Sequence, residues 1–414
     1  MPNTTPTTPM PGPGTRTRSP LPRAGIAVIV LLLLVMTVAT AAFHEVHHLT
    51  ARLAEAPGND ALYTIPSPIP AGAPGDILRA EPLAGAPDGA EAWRIVYHSR
   101  DVHGSAILVS GIVVAPSGPV PAGGRTVVAW GHPTTGAAPS CAPSREVDPF
   151  ALIEGLHDLL AAGYVVAATD YAGLGIATPN SYLVGRTEGH NVLDAARAAR
   201  HIAETGASNR LILWGHSQGG QAALFAGELA PTYAPELALL AVAVAAPASD
   251  LGALFEADVI DVSGVTIGAY AFDAYASVYA ATPGVRLDAI LTPDGIAVTQ
   301  QVVTRCLLTD TGEIHALATP VVGRFLNADP ATTEPWSGLL AENTPGSVPL
   351  TVPLLVVQGN ADTLVRPEIT TAFVAHERAL GTRVTYLTFP DIDHGLIALV
   401  AMPDVMKWLR ALGI

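Results

Sequence analysis

The chain has 414 residues, 49% hydrophobic and 14% charged, with a formal net charge of −15 at pH 7. Such a composition supplies a sizeable core and argues against disorder beyond the N-terminus. Lys407 is the only lysine and no basic patch is visible, which excludes a nucleic-acid partner, since phosphate binding needs clustered cations.

Residues 1–23 are rich in Pro and Thr, with Arg16, Arg18 and Arg23 as their only charged side chains, and residues 24–43 carry no charge. A basic start followed by an apolar run marks a targeting segment. Ala39-Thr40-Ala41 offers a small-x-small cleavage site for a removable signal peptide. A run of about 20 apolar residues also suffices for an uncleaved membrane anchor. Both readings stand, and in both the arginines stay inside while the rest of the chain is delivered outside.

Residues 56–90, rich in Pro, Ala and Gly, read as a loose linker at the head of one domain spanning 56–414. Strand-like runs follow at 92–98, 106–115, 125–130, 164–169, 211–214, 239–246, 353–358 and 383–389. Helical stretches at 150–162 and 191–205 fall between them. The order is α/β, and a mostly parallel central sheet of about eight strands is expected, its central members apolar on both faces. Between Ala246 and Pro353 the chain is far longer than a crossover helix requires, so residues 247–350 are expected to form an inserted, mainly helical cap. Within it, 265–281 has Asp273 as its only charged residue and reads as a helix, either cap core or substrate lining.

The apolar run Leu211-Ile212-Leu213-Trp214 leads into Gly215-His216-Ser217-Gln218-Gly219 and then into the helix-forming stretch 221–229. A strand that turns into a helix through G-x-S-x-G is a nucleophile elbow, which makes Ser217 the candidate nucleophile. An alcohol needs an imidazole to take its proton and a carboxylate to orient that imidazole. In this arrangement the partners follow in the order Ser, Asp, His. Of the three histidines after Ser217, His315 lies in the cap and His376 within the helical stretch 372–380. His394 follows the last strand and is the candidate base. Asp362, just past the strand 353–358, is the candidate carboxylate; the alternative is that it caps the next helix. Asp391 and Asp393 stand too close in sequence to His394 to orient it easily.

A tetrahedral oxyanion needs about two preorganised donors. The backbone N–H of Gln218 is one candidate, and Thr135, in the loop Gly131-His132-Pro133-Thr134-Thr135-Gly136 after the third strand, is the other. The two cysteines, Cys141 and Cys306, can pair in an oxidising compartment. The 13 histidines show no HExxH-like spacing, so neither a catalytic metal nor a cofactor is expected.

With these residues in place, the chain resembles the secretory lipase family of α/β-hydrolases. The likeness runs from about residue 56 to the C-terminus. It rests on Cys141-Ala142-Pro143-Ser144, on Gly163-Tyr164-Val165-Val166 leading to Asp170-Tyr171-Ala172-Gly173, and on Val192-Leu193-Asp194-Ala195-Ala196-Arg197-Ala198. The elbow, Asp362 and His394 complete it. The resemblance implies a triad of Ser217, Asp362 and His394, an oxyanion donor at Thr135 and a Cys141–Cys306 disulfide. It further implies an exported carboxylic-ester hydrolase, lipase or esterase, acting on a small-molecule or lipid ester. Amide hydrolysis or acyl transfer can use the same triad, and the fold can also serve as a silent binding module. Because the chain ends at Ile414, shortly after His394, the family's C-terminal flap is expected to be missing. The cap, with Ala271 among its lining, is then expected to build a pocket for short to medium acyl chains.

Overall fold

The structure is a computed structural model that describes residues 60–414; the expected targeting segments 1–23 and 24–43 lie outside the described residues. Among the described residues no helix is long and apolar enough to cross a membrane.

Nine strands form one sheet in the order β1-β2-β3-β5-β4-β6-β7-β8-β9. In chain order they are β1 Ile77–Pro82, β2 Ala90–Arg100, β3 Ala106–Pro116, β4 Arg125–Gly131, β5 Val165–Thr169, β6 Ala207–His216, β7 Ala238–Ala245, β8 Leu354–Gly359 and β9 Val384–Phe389. The pairings of β1 with β2, β2 with β3 and β3 with β5 are antiparallel, and all others are parallel. Each central strand is buried on both faces. Val127, Ala129, Leu211 and Leu213 pack on α3 (Gly185–Arg200) and α4 (Gln218–Tyr233). Their alternates Val128, Trp130, Ile212 and Trp214 join the core that holds α2 (Leu156–Ala161) and α11 (Ile397–Ala411). Alternation by two thus serves both layers, as parallel strands between helices require.

Two expectations are corrected. Residues 60–90 are not a loose linker: they contain α1 (Asp60–Tyr63) and the ninth strand, β1. As a half-exposed edge strand carrying Arg79, Glu81 and Pro82, β1 lacks a clear apolar alternation. The Arg79 guanidinium donates to the carbonyls of Leu62 at 2.8 Å and Thr64 at 2.6 Å, which ties α1 to this edge. The stretch 150–162 is also not one helix. Gly155, at φ 84°, separates a short 3-10 turn from α2, and a Cβ there would lie 2.3 Å from Met402 Sδ of α11.

Between β7 and β8 run five helices: α5 (Leu251–Asp258), α6 (Val262–Val278), α7 (Pro293–Val302), α8 (Leu307–Ala318) and α9 (Trp336–Glu342). Phe272 of α6 sits among Phe255, Phe325 and Trp336, and this aromatic cluster is continuous with the core on that face of the sheet. The remaining helix, α10 (Pro367–Leu380), links β8 to β9.

Candidate active site

The chain crosses from β4 to β5 on one side and then returns to place β6 on the other side of β4. Ligands of open α/β sheets gather at such a reversal, beyond the carboxyl ends of the strands. Gly131 at the end of β4 and Gly215 near the end of β6 are in register there. The loop holding Thr134 and Thr135 follows the first, and Ser217 follows the second.

Only Ser217 separates β6 from α4, and it takes φ 56°, ψ −117°, a conformation few side-chain-bearing residues adopt. The flanking glycines make that turn feasible. A Cβ on Gly215 would lie 2.0 Å from the Gly219 carbonyl oxygen, and one on Gly219 would lie 1.9 Å from that of Gly131.

Ser217 Oγ is 2.9 Å from His394 Nε2, and His394 Nδ1 is 2.8 Å from Asp362 Oδ2. A proton on Nδ1 donated to Asp362 leaves the Nε2 lone pair to accept the Ser217 hydroxyl. Asp362 is itself fixed: its Oδ1 accepts from the N–H groups of Leu364 and Val365, and its Oδ2 from Gln358 Nε2. It does not cap the following helix, where Arg366 holds the N-cap position. Asp391 and Asp393 are both exposed, and Asp393 accepts from the Leu396 N–H instead. His376 is exposed on α10 and bonds the Gly346 carbonyl. Beside His394, at 5.0 Å between ring centroids, stands His216, whose Nδ1 bonds Glu154 Oε2 at 3.0 Å.

An apolar pocket opens at Ser217 and Gln218. Its walls include Thr134, Leu183, Leu254, Phe255 and Ile267. Of the helix expected over 265–281, only Ile267 lines it. Ala271 is fully buried in the core of the insertion, so that part of the expectation is corrected.

Thr135 follows the pocket-lining Thr134 and is buried with its hydroxyl without a hydrogen-bond partner, while Thr134 Oγ1 is 2.7 Å from Tyr182 Oη. The Thr135 carbonyl accepts from the Leu307 N–H at 2.8 Å, at the start of α8. Cys141 and Cys306 form a disulfide alongside, so the loop is fastened to the insertion twice. Ser144 and Asp170, from two motifs far apart in sequence, meet in the interior. Asp170 accepts from Ser110 Oγ and from the Ser144 N–H and hydroxyl. Burial raises its carboxyl above the ordinary range against those hydrogen bonds.

Glu188 escaped the sequence reading. It sits in the first turn of α3, fully buried, and its Oε1 accepts from Gln218 Nε2 at 2.7 Å and from the Leu183 N–H at 3.0 Å. Burial pushes its carboxyl up to about 8, with those two hydrogen bonds opposing. Only its place in a Gly-flanked segment could have hinted at such burial.

The family model for "Secretory lipase" matches residues 152–412. The chain belongs to the secretory lipase family. A protein of Mycobacterium tuberculosis described as a probable inactive lipase is 24% identical over 85% of this chain and 81% of its own length. Lipase 6 of Candida albicans is 28% identical over 44% of this chain; the match spans 42% of that lipase, under half its length. Among solved structures, Candida antarctica lipase A in its closed state superposes with a TM-score of 0.69, covering 86% of each chain at 19% identity. The rice cell wall degrading esterase LipA of Xanthomonas oryzae gives 0.70, covering 82% of this chain and 98% of that one at 21% identity. These superpositions establish the α/β-hydrolase fold.

Proposed function

We propose that this secretory lipase homologue is an exported serine hydrolase that cleaves carboxylic esters through an acyl-enzyme on Ser217. The observation that carries the reading is the unbroken chain from Ser217 Oγ to His394 to Asp362, with both links under 3.0 Å. His394 takes the Ser217 proton as Oγ attacks the ester carbonyl, then returns it to the departing alcohol. Water repeats the sequence to release the acid. Asp362 fixes the imidazole tautomer and stabilises the imidazolium. The Gln218 N–H and the Thr135 hydroxyl supply the two donors to the oxyanion. The apolar pocket takes the acyl chain, because burying methylenes there is worth about 0.8 kcal/mol each.

The family and the disulfide support export. The N-terminal sequence of the mature protein distinguishes a removed leader at 24–43 from a retained anchor. The M. tuberculosis relative's description favours a second reading, a silent binding module. One experiment separates them. Hydrolysis of p-nitrophenyl esters by the protein and by Ser217→Ala, with fluorophosphonate labelling of both, is expected to show label and turnover only where Ser217 is present. Equal rates in the two proteins with no label would establish the silent module.

A further inference from the structure

Behind the elbow lies a carboxyl group for which the proposed reaction has no use. Glu188 touches no substrate, yet it holds two pieces of the site at once. Gln218, whose side chain donates to it, begins α4 and offers the oxyanion its N–H. Leu183, whose N–H donates to it, lines the acyl pocket at φ 55°, a strained value for a branched residue. The Leu183 carbonyl is taken by Gln221 Nε2 and Tyr275 Oη, so this peptide is held from both ends.

We propose that Glu188 is a positioning residue of the esterase site, clamping Gln218 and Leu183 so that the Gln218 N–H stays aimed at the oxyanion. The inference rests on the reading of Ser217 as nucleophile. The charge state of Glu188 follows from its surroundings. The titratable groups facing it are phenols: Tyr171 and Tyr182 from the segment before α3, and Tyr275 from α6. All three are raised, chiefly by burial, with the Glu188 charge adding to the rise. With its carboxyl pushed up to about 8, Glu188 is a neutral acid at neutral pH. Its Oε2 and Gln218 Oε1 are both buried without a partner. A proton on Oε2 turns one of these two orphan acceptors into a donor. Loss of that proton places an unpaired anion behind the oxyanion donor, where it opposes the negative charge of the tetrahedral intermediate.

The test is the pH profile of kcat on a short p-nitrophenyl ester, corrected for spontaneous hydrolysis, for the wild type, Glu188→Gln and Glu188→Leu. Folding is checked by thermal denaturation. Wild-type kcat is expected to fall about tenfold or more as pH rises past about 8. Glu188→Gln stays neutral and keeps a donor, so it should retain kcat within about threefold at pH 7 and lose the alkaline fall. Glu188→Leu leaves the Gln218 amide unpaired and should lower kcat roughly 10- to 100-fold at every pH, with KM changed less. If the leucine variant does not fold, the glutamine profile still decides. An alkaline fall shared by wild type and Glu188→Gln, or no fall in the wild type, overturns the proposal. Absence of Ser217-dependent hydrolysis overturns the esterase reading and this proposal together, and is recognised by equal rates in wild type and Ser217→Ala.

Discussion

Gly219 and Gly131 meet backbone to backbone: a Cβ on Gly219 would stand 1.9 Å from the Gly131 carbonyl oxygen. This contact locks the start of α4 against the end of β4, which fixes Ser217 and the loop bearing Thr135 in one frame. Gly219→Ala must therefore move backbone, which no rotamer change can relieve. The expected cost is about 2–4 kcal/mol of stability, read as the midpoint of urea denaturation, together with a loss of kcat on any ester. An alanine variant with wild-type stability and kcat would show that the two segments move independently.

The proposed triad of Ser217, His394 and Asp362 is expected to act as a unit. Ser217→Ala and His394→Ala should each lower kcat by roughly 10⁴-fold or more with the fold intact. Asp362→Asn should cost somewhat less, about 10³- to 10⁴-fold, because the carboxamide still occupies the site but reverses the hydrogen-bonding preference at Nδ1. Near-wild-type turnover by Asp362→Asn in steady-state assays would move the orienting role to Asp391 or Asp393.

Thr135 has a buried hydroxyl with no partner, whereas the neighbouring Thr134 hydroxyl is occupied by Tyr182. A donor kept free in the resting enzyme suits a charge that forms only in the transition state. Thr135→Val should thus lower kcat by about 10²-fold and leave KM nearly unchanged. Thr134→Val should cost no more than about tenfold, through loosening of Tyr182. The reverse order in kcat would assign the oxyanion donor to Thr134, the residue that lines the pocket.

What the sequence made legible is what depends on neighbours along the chain. The central strands were readable because both-face burial leaves nearly uninterrupted apolar runs, as in Val165-Val166-Ala167-Ala168. That Ser217, His394 and Asp362 would meet was readable because the elbow is local and chain order places Asp362 and His394 after consecutive strands. What stayed hidden depends on contacts that form only on folding. Nothing near Gly155 announces the Met402 side chain packed against it where the expected helix is interrupted. Glu188, buried in the first turn of α3, meets Gln218 from 30 residues away, a contact nothing in its own stretch of chain announces. The apolar run of α6 looked equally suited to core or pocket, and the aromatic cluster around Phe272 draws most of it inward.

Stability should carry the mark of the buried acids. Burial raises Glu188 to about 8 from 4.5 and Asp194 to about 6 from 3.8, so each binds a proton in the fold that the unfolded chain has released. Stability linked to each is fully present below its unfolded value and is lost as pH rises through its folded value. For Asp194 that window closes near pH 6, and for Glu188 near pH 8. The Tm of Glu188→Gln relative to wild type is expected to rise by about 5 °C between pH 5 and 8 and then level off. A difference that stays constant across that range would mean that Glu188 is ionised in the folded protein.

Ile267 is the residue through which α6 reaches the proposed acyl pocket, and being only partly buried it can be changed without emptying the core. In the wild type, kcat/KM should climb with acyl length while methylenes find apolar wall, at up to about fourfold per methylene, and fall once the chain outgrows the pocket. The maximum is expected at short to medium chains, because Leu254, Phe255 and Ile267 close around Ser217 within a small apolar space. Ile267→Asp should leave acetate esters within about threefold of wild type and depress the longer esters by about 10- to 100-fold, since an alkyl chain against a carboxylate must strip its water. The p-nitrophenyl series from C2 to C16 measures both. A maximum at C16 in the wild type, or a uniform loss across the series in the variant, would place the acyl chain elsewhere than against Ile267.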